Sequence, residues 1–422
     1  MKKLIPQFLL NFYHFLLALF GALIYANPSK KIKVIGVTGT NGKTTTTEMI
    51  AKILEKAGFK VALINSIRFK IGKESKKNEL RMTMPGRFFI QRFLKKATKE
   101  KCQYAILEVT SEGIKQYRHR FVNFEVIVFT NLAPEHIESH GSFENYKTTK
   151  GKLFQLTKNI HIINLDDKHA EYFLKFPSKL KIGYTLQNSA KTTLLYSKKD
   201  LAKIVRAKKI FIDKEKIGFE IENEKFVLNL RGEFNIYNAL AGICVAISQG
   251  IDLKTSKEAL KEIKIIPGRM EEVISKPFKV FVDYAFTPFA LEKVYKDLKE
   301  REKMGKLICV LGACGGGRDK WKRPVLGKIA KKFCDKIIIT NEDPYDEDPL
   351  EIIEQVAKGT NGKAKKILDR REAINRALKE AKEGDVVIIT GKGCEPSICI
   401  KGKKIPWDDR KVVKEEFEKL FQ

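Results

Sequence analysis

From Val34 to Ile50 the sequence reads VIGVTGTNGKTTTTEMI: a glycine turn, one lysine and four threonines behind a β-branched run. The loop Gly39-Thr40-Asn41-Gly42-Lys43-Thr44 falls between a buried-strand pattern, Val34 to Val37, and a helix pattern, Thr45 to Ala57. In that setting backbone N–H groups and the helix dipole favour phosphate. Lys43 would neutralise the outer phosphates, and the Thr44 hydroxyl would complete a magnesium shell. The general phosphate-loop pattern asks for glycine five residues before Gly42, where this chain has Val37, so the loop is a shorter variant.

Two more residues could share that chemistry. Glu108 closes the strand-like run YAILEV, and His136 follows the run VIVFTNL within TNLAPEHIESHG. Both stand beyond the carboxyl ends of strands, where open α/β sheets bind their ligands. Glu108 is an oxygen ligand suited to magnesium, and His136 could join it.

The elements that must position these groups alternate between strand and helix. VALIN (Val61 to Asn65), YAILEV (Tyr104 to Val109) and VIVFTNL (Val126 to Leu132) are strands, with a helix near Gln91 to Lys99. This rhythm predicts a parallel sheet covered on both faces. From about Lys181 to Leu230 the pattern becomes short and alternating, as in antiparallel hairpins, and Asn235 to Ile251 returns to helix. Pro267-Gly268 reads as a hinge. Beyond it four strand candidates, beginning at Lys279, Leu307, Lys336 and Asp385, predict a second open α/β domain.

A chain of 422 residues with 43% hydrophobic content can form two or three domains with real cores. Its formal charge of +30 raises anionic partners, but the basic residues are spread among Glu and Asp along the whole chain. No Arg-rich block or aromatic-basic signature points to nucleic acid. Seven cysteines in a chain this long suit a reducing compartment. Cys309 and Cys314, like Cys394 and Cys399, are spaced too widely for a zinc ribbon and read as buried thiols.

Ahead of the glycine loop, Leu4 to Ala26 carries no charge and is flanked by Lys2, Lys3, Lys30, Lys31 and Lys33. Its length permits a membrane-spanning helix. Gln7, Asn11 and His14 share one helical face, which also permits a helix in the membrane interface or packed on protein. A cleaved signal would export a nucleotide-binding domain away from its nucleotide. If the helix spans, the downstream lysines keep the body cytoplasmic, at the inner membrane face.

Several blocks then occur in order: GVTGTNGKTTTTEMIAKILEKAG, LEVTSEGI, VFTNLAPEHIESHGSFENYKTTKGKLF, GEFNIYNALA, PGRMEEV, DYAFTPFALE, GGRDKWKRP, EDPYDEDP and GKGCE with a later DDR. Together they resemble the Mur ligase family over Lys33 to Gln422. Folylpolyglutamate synthase shares the superfamily, but GKTTTT, DYAFTP and EDPYDEDP are more similar to the peptidoglycan branch. After the apolar N-terminal helix (1–32), the resemblance implies a central ATP-binding α/β domain whose parallel sheet carries an antiparallel subsheet (33–266), and a Rossmann-like C-terminal domain (267–422). It implies ATP-driven amide formation with Mg2+: a muramoyl-peptide carboxylate becomes an acyl phosphate, and an amino acid's amine displaces phosphate.

Carried over by motif, Gly39, Thr40, Asn41, Gly42, Lys43, Thr44 and Thr45 hold phosphates, and Asn131, Arg269 and Asp283 contact the nucleotide. Thr44, Glu108 and His136 bind metal, with Lys150 matching a carbamylated lysine. Thr83, Ser111, Glu342, Asp343, Tyr345 and Glu395 face the acceptor or amino acid. Three positions depart from the family. Phe286 replaces the histidine of DYAHTP, and Cys394 replaces that of GKGHE. The diaminopimelate-selecting DNPR segment reads Glu342-Asp343-Pro344-Tyr345. Without that arginine the bidentate grip on a distant carboxylate is lost, so lysine or a neutral amino acid gains over diaminopimelate.

The apolar helix also stands where the family's nucleotide-sugar domain is expected. That keeps open a lipid-linked as well as a nucleotide-linked acceptor, and with it an amidating subunit acting on a lipid-linked precursor. A membrane-tethered ATP-binding scaffold without catalysis is the other alternative.

Overall fold

Val34, Ile35 and Val37 are fully buried because their strand, β1 (Lys33–Thr38), is sandwiched between two apolar layers. The computed structural model describes residues 6–187, 201–213, 216–301 and 305–421. Around β1 run β2 (Val61–Ile64), β3 (Arg68–Ile71), β4 (Glu74–Lys77), β5 (Tyr104–Glu108), β6 (Phe124–Phe129), β7 (Ile160–Asn164), β8 (Leu180–Thr185) and β9 (Lys203–Arg206). They form a nine-stranded sheet in the order β4, β3, β2, β5, β1, β6, β7, β8, β9. All neighbours are parallel except β3, which pairs antiparallel with both β2 and β4.

Alternation along β1 sends Ile35 and Val37 to one face and Val34 to the other. The first face packs on helix α2 (Lys43–Lys56) and the helix Phe234–Ser248, whose residues share one apolar cluster. The second packs on α3 (Arg87–Lys99) and the helix Phe143–Leu156. Covering both faces is what lets these parallel strands be continuously apolar.

The stretch from about Lys181, read from sequence as hairpins, instead contributes two more strands to the parallel sheet, β8 and β9. Tyr184 and Thr185 are buried there, so the pattern that looked amphipathic belongs to a covered strand. Among the described residues of this stretch, antiparallel pairing is confined to β10 (Lys208–Ile212), β11 (Ile217–Ile221) and β12 (Glu224–Leu228).

Beyond Pro267-Gly268 a six-stranded sheet follows, ordered β13 (Glu271–Ile274), β14 (Lys279–Asp283), β18 (Val386–Thr390), β15 (Leu307–Leu311), β16 (Lys336–Ile339), β17 (Ala364–Lys366). Only β13 is antiparallel to its neighbour. The four expected strands are all present. A hairpin of β19 (Ser397–Ile400) and β20 (Lys403–Pro406) stands at their carboxyl ends.

At the other end of the chain, Gln7–Ile24 forms helix α1. No helix among the described residues is long and apolar enough to cross a membrane. At 1.5 Å per residue, 18 residues reach about 27 Å, short of a bilayer's apolar thickness. The helix instead lies along α3, and its Ala18 and Ala22 are buried. The spanning reading is therefore replaced by a helix packed on protein.

Candidate active site

Glycine is required at both ends of the loop after β1. Gly39 has φ +150°, and a Cβ there would sit 1.9 Å from Thr130 Oγ1. Gly42 has φ +81°, and its Cβ would sit 2.4 Å from Asn238 Oδ1. Gly42 caps α2 without any side-chain hydrogen bond, so the helix presents free N–H groups toward the loop. Asn131, read from sequence as a nucleotide contact, lies under the loop. Its Oδ1 accepts from Asn41 N at 3.0 Å and its Nδ2 donates to Asn41 O at 3.0 Å.

Lys43 reaches back over the loop, donating to Thr40 O at 2.8 Å, with Glu108 Oε1 3.9 Å away. Burial lowers its pKa and Glu108 opposes that change. The Thr44 hydroxyl donates to Glu108 Oε2 at 2.9 Å, and the same oxygen accepts from Ser66 N at 3.0 Å. Ser66 Oγ lies 2.8 Å from Thr83 Oγ1, which brings Thr83 to the edge of this cluster. Thr45 follows in the first turn of α2, and Ser111 is buried just beyond β5.

Lys150 is buried on the helix Phe143–Leu156, its Nζ 2.9 Å from Gly39 O and 4.7 Å from the Tyr146 ring centre. Burial, with the Lys43 charge adding to it, pushes its pKa well below the ordinary lysine value. His136 stands beside Tyr146, their ring centres 6.1 Å apart. Burial first, then Arg318 and Lys150, lower its pKa to about 2, so the ring is neutral and free to act as a ligand. The fold thus brings Lys43, Thr44, Glu108, His136 and Lys150 to one side of the loop. Among the described residues no three His, Cys, Asp or Glu side chains form a ready metal cage. Magnesium suits such a place, since it takes one or two carboxylates and fills its shell from phosphate and water.

From the C-terminal domain, Arg269 stacks on Tyr284, 4.5 Å from the ring centre, and its Nη2 lies 3.4 Å from Thr44 Oγ1. Asp283 spends both carboxylate oxygens on the turn, accepting from Met270 N and Ala285 N. Its part is to hold the hinge that carries Arg269. At Phe286, where the family has histidine, the ring lies under Lys322, 5.0 Å from its Nζ. Lys322 in turn pairs with buried Glu135 at 2.8 Å.

A second cluster joins Asp343 and Glu395 to two cations that the sequence did not single out, Arg81 and Lys392. Arg81, from a loop of the central domain with φ +54°, donates from Nη2 to Asp343 and, at 2.8 Å, to Glu395 of the other domain. Lys392 joins the same two carboxylates at 2.7 and 2.5 Å. Burial works against the Arg81 charge, but Glu395 and Asp343 hold its pKa above the ordinary value. Arg81 Nε is buried with no protein partner. A cavity of about 30 Å3, lined in part by Ser66, Arg81, Thr83, Arg269 and Glu395, joins this cluster to the one around Glu108. Glu342 points elsewhere, toward the Cys314 thiol at 2.9 Å, and burial raises its pKa. Tyr345, at φ +53°, fixes the backbone by pairing with β19. No local spacing singles out Arg81 or Lys392; charged residues are common throughout this chain.

The Mur ligase middle domain profile matches residues 37–246, and the profile "Mur ligase, glutamate ligase domain" matches 268–393. A Clostridium botulinum protein named UDP-N-acetylmuramoyl-L-alanyl-D-glutamate--2,6-diaminopimelate ligase is 39% identical over 413 residues, covering 96% of this chain and 82% of that protein. The chain belongs to the Mur ligase family. The ligase of the same name from Aquifex aeolicus is 40% identical over 395 residues, covering 93% of this chain and 78% of its own.

A solved structure of a ligase of that name matches with TM-score 0.60 at 30% identity, covering 93% and 79% of the two chains. MurF from Acinetobacter baumannii shares the fold at TM-score 0.69 and 17% identity, covering 94% and 80%. As a Mur ligase the chain is an ATP-dependent, ADP-forming amino-acid ligase of peptidoglycan precursor synthesis.

Proposed function

We propose that this Mur ligase joins 2,6-diaminopimelate to the glutamate carboxylate of UDP-N-acetylmuramoyl-L-alanyl-D-glutamate. The relatives' names suggest both substrates. The observation that carries the amino-acid choice is the Arg81 cluster, which supplies a guanidinium where the DNPR arginine is absent. Two cations, Arg81 and Lys392, face two anions, Asp343 and Glu395. That balance suits a zwitterionic end group better than the single cation of lysine. The buried Arg81 Nε is a donor left over for the distal carboxylate. This replaces the expectation drawn from Tyr345, because the fork comes from a different element.

We assign residues 33–266 to ATP binding and 267–422 to amino-acid binding. The loop Gly39–Thr44, with Thr45, would take the phosphates, and Lys43 and Arg269 would face their charge. Asn131 and Asp283 would act by fixing the loop and hinge. Thr44, Glu108 and neutral His136, with Lys150 as its carbamate, would hold magnesium, which supplies charge neutralisation between phosphate and carboxylate. The acceptor carboxylate oxygen, placed by Thr83 and Ser111, bonds to the γ-phosphorus as ADP leaves. The diaminopimelate amine then bonds to the acyl carbon, phosphate leaves, and the amine gives up a proton. Asp343, Glu395 and the Tyr345 turn would orient the incoming amino acid, and Glu342 would support that wall. The named relatives are ligases, so the amidating-subunit and scaffold readings are set aside. We place the enzyme in the cytoplasm, at the inner membrane face.

The test is phosphate release with the nucleotide-linked dipeptide acceptor. Diaminopimelate should give at least about tenfold higher kcat/KM than lysine. Arg81→Ala should lower the diaminopimelate value by roughly 10- to 100-fold, the worth of a charge-assisted hydrogen bond, and Arg81→Lys should restore part of it. A preference for lysine, or an Arg81→Ala enzyme with unchanged specificity and an intact melting transition, would overturn the assignment.

A further inference from the structure

Helix α1 turns its faces the opposite way from a helix resting on a water-facing body. Toward the protein go Ala18, Gly21 and Ala22, all buried, and His14, whose Nδ1 lies 2.6 Å from Arg87 Nη2. Outward go Phe8, Phe12, Tyr13, Phe20, Leu23 and Ile24, each between 50% and 69% exposed. At 100° per residue these six occupy one half of the helix. A surface helix ordinarily buries its large apolar stripe and wets its small or polar one. Here the small residues serve close approach: a Cβ on Gly21 would stand 3.7 Å from both Gln91 and Phe88 of α3. The polar stripe that the sequence shows through Asn11 and His14 is thus on the protein side, and the aromatic stripe is left without a partner.

The neighbouring surface says what covers it. On α3, Phe88, Arg92, Lys95 and Lys99 recur at helical spacing along one stripe, and all four are exposed. Phe88 is, with Arg87 and Gln91, beside Gly21 of α1, so the exposed stripe of α3 starts where the two helices meet and continues as a row of cations. Among the described residues Arg92, Lys95 and Lys99 are in no ion pair. Exposed Lys30 follows the end of α1, and the sequence puts Lys2 and Lys3 before its start. A continuous apolar face of this size bordered by unpaired positive charge has the chemistry of an interfacial anchor. A second copy of the chain fits worse, because face-to-face pairing would bring the two basic stripes together.

We propose that α1 and the basic stripe of α3 form a docking surface for an anionic lipid bilayer. The helix lies in the plane of the headgroups with its aromatic side toward the acyl chains, and Arg92, Lys95 and Lys99 meet anionic headgroups. The active-site loop is on other elements, so docking and ligation are separable.

The test is sedimentation of the full chain with phosphatidylcholine vesicles, with and without phosphatidylglycerol. The wild-type protein should bind the anionic vesicles and be released by salt. Phe12→Glu/Phe20→Glu should abolish binding, and Arg92→Glu/Lys95→Glu should weaken it by roughly tenfold or more. Both pairs point outward, so ligation of the nucleotide-linked acceptor should be unchanged. Failure to bind anionic vesicles at low salt would overturn the proposal. So would a dimer that Phe12→Glu/Phe20→Glu dissolves while the wild-type chain ignores lipid, since the face would then be a self-association surface. Loss of ligation with docking intact would count against the function proposed above and leave this one standing.

Discussion

Replacing Lys43 with alanine will reduce ligation by about a thousandfold or more. Its ammonium is almost wholly enclosed, between Thr40 O at 2.8 Å and Glu108, at the start of a helix whose N–H groups are uncapped. A preorganised cation at the place where phosphoryl charge develops is worth several kcal/mol of transition-state stabilisation. The hydrogen bond to Thr40 O is worth only about 1 kcal/mol, so the fold should survive. The check is single-turnover ADP formation beside a thermal melt of the same variant. A folded Lys43→Ala enzyme that ligates at near wild-type rate would remove this residue from the phosphate site.

Lys150→Ala should be equally inactive, for a different reason. Burial, then the Lys43 charge, push this amine's pKa well below the ordinary lysine value, and that favours the neutral form that attacks carbon dioxide. A new N–C bond forms, a proton leaves, and the side chain becomes an anion beside the Lys43 cation. The wild-type enzyme equilibrated with 13C-bicarbonate should show a carbamate carbonyl signal that Lys150→Ala lacks. Short carboxylates should restore part of the activity; a fully active Lys150→Ala enzyme would end the carbamate assignment.

Stability should move the other way. The unfolded chain protonates this lysine below its ordinary pKa, and the folded chain, lacking the carbamate, binds that proton less tightly. Folding therefore releases a proton, and the penalty grows as pH falls below that value. Every tenfold loss of proton affinity on folding costs about 1.4 kcal/mol, more than the single bond to Gly39 O returns. In protein freed of carbon dioxide, Lys150→Met should thus melt higher than wild type at neutral pH while remaining inactive. An unchanged or lower melting temperature would show that the buried amine carries no such penalty.

Much of the site was legible because its signals are local. A strand, a glycine turn and a helix start are fixed by backbone sterics within a dozen residues, and Lys43, Thr44 and the φ of Gly42 travel with them. Glu108 and His136 were legible as strand-end residues, since a parallel sheet puts all such ends on one edge. Strands β8 and β9 were not. Their alternation resembles a hairpin, and only the helix Phe234–Ser248, packed over that part of the sheet, shows that the strand is buried.

The sequence by itself determined the alternating α/β order and the phosphate loop, because both rest on short-range spacing, and its ordered motif blocks carried the resemblance to the family. Tertiary structure alone decided the rest. Arg81 meets Asp343 across 262 residues, through the approach of two domains that no periodicity encodes. The same holds for α1. Its polar stripe is plain in the sequence, but whether that stripe faces outward depends on what α3 offers it. Small side chains let α1 sit close against α3, and that contact leaves the aromatic stripe outside.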